Sequence, residues 1–131
     1  MLTRKTLFVV AALLLVGSLA PNTYAQRWVY LGEAHVDGEA DHDKIEVGKH
    51  EGTFRFIQMR VDRAPIEFIR VVVHFGNGAD EVIPVAQKIH AGGVTRDIKL
   101  RGTDRVIKSV ELWYARARYG SNKPQVRLFG R

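Results

Sequence analysis

Apolar and polar residues alternate with a period of two along most of the chain after residue 26. Successive side chains of a β-strand point to opposite faces of its sheet, so this alternation predicts half-buried strands. No stretch after residue 26 keeps apolar residues at the spacing of a helix face for three turns. The pattern therefore predicts an all-β domain.

Within the runs, the alternation also predicts which side chains face the core. In the segment 52–62 the inward set is Ile57, Met59 and Val61. In the segment 66–75 the predicted inward residues are Ile69, Val71, Val73 and Phe75. The other face of that segment is half apolar, which is typical of a central strand. In the longest run, 105–119, the predicted inward residues are Val106, Lys108, Val110, Leu112 and Tyr114.

Turn residues separate these runs at short intervals. Asn77-Gly78 can adopt the positive φ of a tight turn and predicts a hairpin. Pro84 has no backbone donor, so the strand that returns from this hairpin is expected at a sheet edge or at a bulge. About eight short strands result, which favours an antiparallel two-sheet β-sandwich; the alternative is a small closed β-barrel.

The first 25 residues predict a cleavable signal peptide. Arg4 and Lys5 precede an apolar run, and Tyr24 is flanked by the small residues Thr23 and Ala25. The alternative is a membrane anchor that is retained, but Pro21 and Asn22 end a run that is short for a span. We expect a periplasmic or secreted bacterial protein whose mature part, 26–131, is a single β-sandwich domain without a membrane span.

Composition excludes some functions and leaves others open. The chain has no cysteine, which excludes disulfides, thiol catalysis and cysteine-based zinc sites. The chain has 20 Lys and Arg and 14 Asp and Glu. Because Arg4 and Lys5 belong to the predicted leader, the mature part has 18 basic and 14 acidic residues, a formal net charge of +4. Acids predominate in 33–51 and bases in 52–131. This asymmetry could attract an anionic partner, although two neighbouring zones of opposite charge would also serve solubility.

Acidic residues occupy every second position of one segment: Asp37, Glu39, Asp41 and Asp43. Carboxylates are the ligands that calcium prefers, so this loop is a candidate calcium site, and calcium is the one cofactor that the sequence suggests. The EF-hand pattern fails, however, because His42 and Gly48 occupy the positions that need Gly and Glu. The favoured interpretation is a turn whose side chains cap local backbone amides.

The segment ELWYARARYG (111–120) is the first candidate for ligand binding. If Val110, Leu112 and Tyr114 face inward, then Trp113 faces outward, and Arg116 and Arg118 follow where the strand leaves the core. An outward Trp beside arginines could hold a sugar ring, a peptide or a base. The alternative is that neighbouring strands cover Trp113 and that nearby acids pair with the arginines.

No motif predicts an enzyme. Ser109 and Ser121 lie in no nucleophile elbow, and the five histidines form no metal-ligating pair in sequence. Glu33, Glu67 or Glu111 could supply the carboxylates of an envelope polysaccharide hydrolase, but such pairs are common in proteins of this size. We therefore expect no catalytic residues, and no cofactor apart from the calcium considered for the acidic loop.

Taken together, the mature segments resemble a group of small exported bacterial proteins that are classed as a domain of unknown function. The resemblance covers nearly all of 28–131 and depends on segments such as WVYLG, DHDKIEVG, VVVHFGNG, AGGVTRDIKLRG and the closing VRLFGR. It implies a compact, β-rich, periplasmic or secreted domain, and it assigns no catalytic residue.

These observations predict a non-enzymatic envelope or secreted module that binds a ligand or partner through a sheet face or its loops. A glycan, an anionic polymer or an envelope protein would suit this role, whereas nucleic acid is the least expected partner for an exported chain of this charge. The calcium-binding and hydrolase hypotheses remain as alternatives.

Overall fold

A computed structural model describes residues 27–48 and 51–131, which form eight β-strands. The strands are β1 (Val29–His35), β2 (His42–Glu46), β3 (Phe56–Asp62), β4 (Ile66–Phe75), β5 (Asp80–Ile89), β6 (Ile98–Lys99), β7 (Ile107–Tyr114) and β8 (Gln125–Gly130). The predicted signal peptide, 1–25, lies outside the described residues.

The strands form two antiparallel four-stranded sheets in the orders β1-β8-β3-β6 and β2-β7-β4-β5. We call them the first and the second sheet. The predicted all-β two-sheet sandwich is confirmed, and the closed-barrel alternative is wrong for the described part of the chain because the strands divide between two open sheets. Across these residues, no helix is long and apolar enough to cross a membrane.

The core lies between the inward faces of the two sheets. Ile57, Met59 and Val61 of β3 are buried as predicted, and Val126 and Leu128 of β8 are buried beside them. In the second sheet the inward residues include Val71, Val73, Val110, Leu112 and Tyr114. Burial of such side chains contributes roughly 1.5–3 kcal/mol each and holds the sheets together without disulfides.

One prediction for the core face of β4 is wrong. Ile69 is 47% exposed, whereas Phe68 is 1% exposed. A β-bulge between Phe68 and Arg70 shifts the register toward both neighbouring strands. The extra residue moves the start of β4 to the opposite phase of the alternation.

A register irregularity also makes the prediction of inward residues wrong at the start of β7. Val106 and Lys108 were predicted to face inward, but both are exposed. An irregularity at His74/Phe75 pairs Phe75 with Ile107, and Ile107 is buried in their place. The alternation in the run 94–100 predicts that Val94, Arg96, Ile98 and Leu100 share one face, but Val94 and Arg96 are exposed and only Ile98 and Leu100 are buried.

The predicted hairpin and edge strand are confirmed. The amide of Phe75 donates to the carbonyl of Ala79 at 2.8 Å, which closes the turn at Asn77-Gly78. β5 lies at the edge of the second sheet, and Pro84 pairs with Arg70 at the bulge. An edge position removes the need for the backbone donor that proline lacks.

Candidate functional site

Trp113 projects from the outer face of the second sheet and is flanked by side chains of both neighbouring strands. His42 of β2 and Arg70 of β4 are its cross-strand partners. The His42 imidazole stacks on the indole with centroids 4.2 Å apart, and the Arg70 Cζ lies 4.3 Å from the ring centroid. Trp113 is half-buried, and its Nε1 is a buried donor that has no hydrogen-bond partner among the described residues.

Arg70 and His42 are the residues of this stack that sequence reasoning missed. The sequence placed arginines near Trp113, but it suggested Arg116 and Arg118, which follow it along the chain. The guanidinium over the ring comes instead from β4, more than 40 positions earlier. Only the register of β4 against β7 could have identified it.

Arg116 and Arg118 lie in a surface depression of about 840 Å³ between the loop 37–39 and the segment 116–119. Asp37 and Glu39 also line it. The structure therefore brings together residues of both sequence-predicted sites, the acidic loop and the arginine segment. Trp113 and Asp43 are not among the residues that line this depression.

A close backbone contact holds the two walls of the depression together. Gly38 is buried at φ +87°, and a Cβ at this position would lie 2.0 Å from the Ala117 carbonyl oxygen and 2.9 Å from the Tyr119 ring. Only glycine fits this conformation and this approach. The Tyr119 hydroxyl donates to the Pro65 carbonyl at 3.1 Å, and burial raises the pKa of this hydroxyl.

The opposite charges that line the depression do not pair with one another. Asp37 accepts a hydrogen bond from the Glu39 amide at 3.0 Å, as in an Asx turn. Arg116 makes one loose contact, 3.9 Å from Nη2 to Oδ2 of Asp41. Among the described residues, no ion pair of Glu39 or Arg118 is within 4 Å, so both charges are available to a ligand.

The four carboxylates proposed for calcium have separate surroundings. The Tyr114 hydroxyl donates to Oδ2 of Asp43 at 2.6 Å, and burial together with this bond raises the pKa of Tyr114. Asp41 lies 2.8 Å from Nδ1 of His42, and this hydrogen bond lowers the pKa of the Asp41 carboxyl. Within 27–48 and 51–131, no group of three or more His, Asp or Glu side chains could hold a metal ion.

A second surface, which we call the aromatic–arginine face, covers the outer side of the first sheet. Tyr30 and Phe129 are cross-strand partners whose rings meet edge to face, 5.7 Å apart between centroids. The Arg60 Cζ lies 3.8 Å from the centroid of the Phe129 ring. Arg131 lies in the same way over Trp28 and Phe56, at 5.0 and 4.9 Å.

Sequence reasoning missed this face because its residues come from distant segments. β8 enters the sheet between β1 and β3, and this places Phe129 and Arg127 beside Tyr30 and Arg60. Each strand contributes only one or two of these aromatic and basic residues, among ordinary strand residues. The strand order is what collects them into one surface.

On the second sheet, His74 bridges two carboxylates. Its Nδ1 lies 2.6 Å from Oδ1 of Asp80, and its Nε2 lies 2.8 Å from Oε1 of Glu111. These hydrogen bonds, with Glu111 the stronger influence, raise the pKa of His74. Glu111, one of the carboxylates considered for hydrolysis, is thus hydrogen-bonded to the His74 ring.

Comparisons with known proteins identify a family. A search of curated proteins found no match. Among solved structures, the chain is similar to one described as "Structural and functional characterization of Pseudomonas aeruginosa AlgX", at 11% sequence identity and a TM-score of 0.48. That match covers 82% of this chain and 27% of the other, so this chain spans about a quarter of the length of that protein. The predicted membership in a domain of unknown function is confirmed: residues 7–130 match the family described as Domain of unknown function (DUF2541), and the chain belongs to that family.

Proposed function

We propose that the protein is an exported, non-enzymatic module of the bacterial envelope or the secreted fraction, and that it binds a partner in the depression between 37–39 and 116–119. The partner presents both a cationic and an anionic group, and a peptide end or segment is the simplest chemistry of that kind. This proposal retains Arg116 and Arg118 from the sequence-based candidates and adds Asp37 and Glu39 as the opposite wall.

One observation supports the proposal above the others. Arg118 and Glu39 carry opposite charges into one depression, yet neither has an ion-pair partner among the described residues. An ammonium group near Asp37 and Glu39 and a carboxylate near Arg116 and Arg118 would each meet complementary charge. The depression, at about 840 Å³, is also within the size range of ligand sites.

Trp113 contributes indirectly in this proposal. Its ring is flanked by His42 and Arg70, so a ligand could stack on it only by displacing one of them. Asp41 connects the two regions, because it contacts both His42 and Arg116. We therefore regard the Trp113 stack as a support for the wall of the depression.

The test uses three matched peptides and the mature chain, 26–131. Triglycine carries both charges, its N-acetyl form carries only the carboxylate, and its C-terminal amide carries only the ammonium. We expect triglycine to shift the backbone amide NMR signals of 37–39 and 116–119 together. The two blocked peptides should bind about tenfold more weakly, because each loses one charge-assisted contact.

Variants then assign the contacts. Arg118→Gln should abolish the preference for triglycine over its amide, and Glu39→Gln should abolish the preference over the N-acetyl form. Arg101→Gln, an exposed arginine elsewhere on the surface, is the control and should bind as the parent does. Equal binding of all three peptides, or a loss in Arg101→Gln equal to that in Arg118→Gln, would refute the proposal.

A further inference from the structure

We propose a second binding site, independent of the depression: the aromatic–arginine face binds an acidic polysaccharide, with a sugar carboxylate between Arg60 and Arg127 and a sugar ring against Tyr30. This face carries arginines and an exposed aromatic ring on the outer side of the first sheet. It shares no residue with the depression at 37–39 and 116–119.

Arg60 and Arg127 are direct cross-strand partners on β3 and β8. Like charges at such a position are unfavourable, because their Cβ atoms lie only about 5 Å apart. Asp62 offsets one of them, with Oδ2 2.6 Å from Nη2 of Arg127. Arg60 has no carboxylate within 4 Å in the described part of the chain, and its Nε donates to Oε1 of Gln58 at 3.1 Å.

The second acidic residue beside Arg127 is Glu33, which is hydrogen-bonded to other side chains. Glu33 is the cross-strand partner of Arg127 on the other side, but its carboxylate accepts from the Tyr30 hydroxyl at 2.6 Å and from Nε2 of Gln125 at 2.8 Å. These hydrogen bonds lower the pKa of Glu33 and keep it charged. Asp62 and the charged Glu33 both lie beside Arg127, so Arg60 is the guanidinium of this pair that has no carboxylate within 4 Å among the described residues.

The guanidinium of Arg60 is also held in position. Its Cζ lies over the Phe129 ring, 3.8 Å from the centroid, while its Nε donates to Oε1 of Gln58. These two contacts restrain the planar fork of the guanidinium, so it has less conformational freedom to lose on binding. A carboxylate can accept two parallel hydrogen bonds from such a fork.

Next to this pair, Tyr30 offers an apolar ring. It lies on the edge strand β1, is 46% exposed and contacts Phe129 edge to face. The C–H face of a pyranose can pack on such a ring, and the hydroxyl of Tyr30 stays fixed on Glu33. A carboxylate-bearing sugar polymer combines both chemistries, which is why we assign an acidic polysaccharide and no other polyanion.

The probe is polygalacturonate, titrated calorimetrically into the mature chain at low ionic strength, with its fully methyl-esterified form as the uncharged counterpart. We expect binding of polygalacturonate only, weakened about tenfold by Arg60→Gln and to a lesser extent by Arg60→Lys, which keeps the charge but not the fork. Tyr30→Ser should also weaken it. Unchanged melting temperatures would show that the variants fold.

Arg105→Gln is the matched control, since Arg105 also covers an aromatic ring, Phe75, at 3.6 Å but has no arginine opposite it. It should bind polygalacturonate as the parent does, and so should Arg118→Gln, which alters only the depression. The inference is overturned by no binding of polygalacturonate, by equal binding of the methyl ester, by equal loss in Arg105→Gln, or by oligothymidylate binding as tightly as polygalacturonate.

Discussion

His74 is the side chain whose protonation the fold controls most directly. Both of its ring nitrogens face carboxylate oxygens, those of Asp80 and Glu111. A neutral imidazole has one donor and one acceptor, so only the protonated ring can donate to both carboxylates. The hydrogen bonds therefore favour the imidazolium, and the pKa of His74 in the folded chain lies above 6.5.

This raised pKa predicts a loss of stability as the pH increases. The stabilisation is present in full below the unfolded pKa of 6.5, and it disappears as the pH rises through the higher pKa of the folded chain. We expect His74→Gln to reduce the free energy of unfolding by roughly 1 kcal/mol at about pH 6 and by less at about pH 9. Urea unfolding of both chains at the two pH values measures this difference, and an identical reduction at both would contradict it.

At the same scale, the sequence could predict the direction of single side chains but not their neighbours. Trp113 faces outward, as the alternation Val110, Leu112, Tyr114 requires. Its contacts with His42 and Arg70 depend on which strands lie beside β7 and in which register. Alternation within one strand contains no information about either.

At the scale of elements, backbone carbonyls of the edge strand β5 accept hydrogen bonds from a side chain outside the strand. Nη1 of Arg96 donates to the Val85 carbonyl, and Nη2 donates to the Pro84 carbonyl, each at 2.6 Å. Ala86 follows at φ +50°, so the edge is irregular there. Because unpaired carbonyls on a sheet edge can pair with another chain, Arg96 protects this edge.

Removal of this arginine should affect both stability and association. We expect Arg96→Ala to lower the free energy of unfolding by about 1 kcal/mol, and Arg96→Lys to lower it less, because one ammonium cannot serve two carbonyls with the geometry of a fork. Sedimentation velocity should show concentration-dependent self-association of Arg96→Ala. A monomeric Arg96→Ala chain with the stability of the parent would show that Arg96 is not needed at this edge.

Most elements of this fold are predictable from local pattern, and the errors occur at bulges. Pro84 and Asn77-Gly78 predicted an edge strand and a hairpin because their backbone chemistry allows few alternatives. Ile69 and Val106 were assigned to the wrong face because a bulge changes the phase of the alternation within one continuous apolar run. A bulge is fixed by the partner strand, which the local sequence does not specify.

At the scale of the molecule, the strand order determines where the binding surfaces are. β8 is last in the chain but lies between β1 and β3, and β7 lies between β2 and β4. The aromatic–arginine face exists because β8 connects the beginning of the chain to its middle. The depression exists because the loop before β2 meets the segment after β7. Both arrangements depend on pairings of residues far apart in sequence, which explains why pattern analysis found parts of one surface and none of the other.

This strand order predicts unequal effects of removing the two terminal strands. β8 pairs on both sides and contributes Val126 and Leu128 to the core, and its Gly130 packs so closely that a Cβ would lie 2.7 Å from the Phe54 ring. β1 pairs only with β8 and lies at the sheet edge. A chain of residues 26–123 should therefore show no cooperative thermal transition by circular dichroism, because the loss of β8 separates β1 from β3. A chain that begins at Val36 should retain a cooperative transition at a lower temperature, since β8 and β3 still pair in the first sheet. A cooperative transition in the chain without β8, or none in the chain without β1, would contradict the central role of β8.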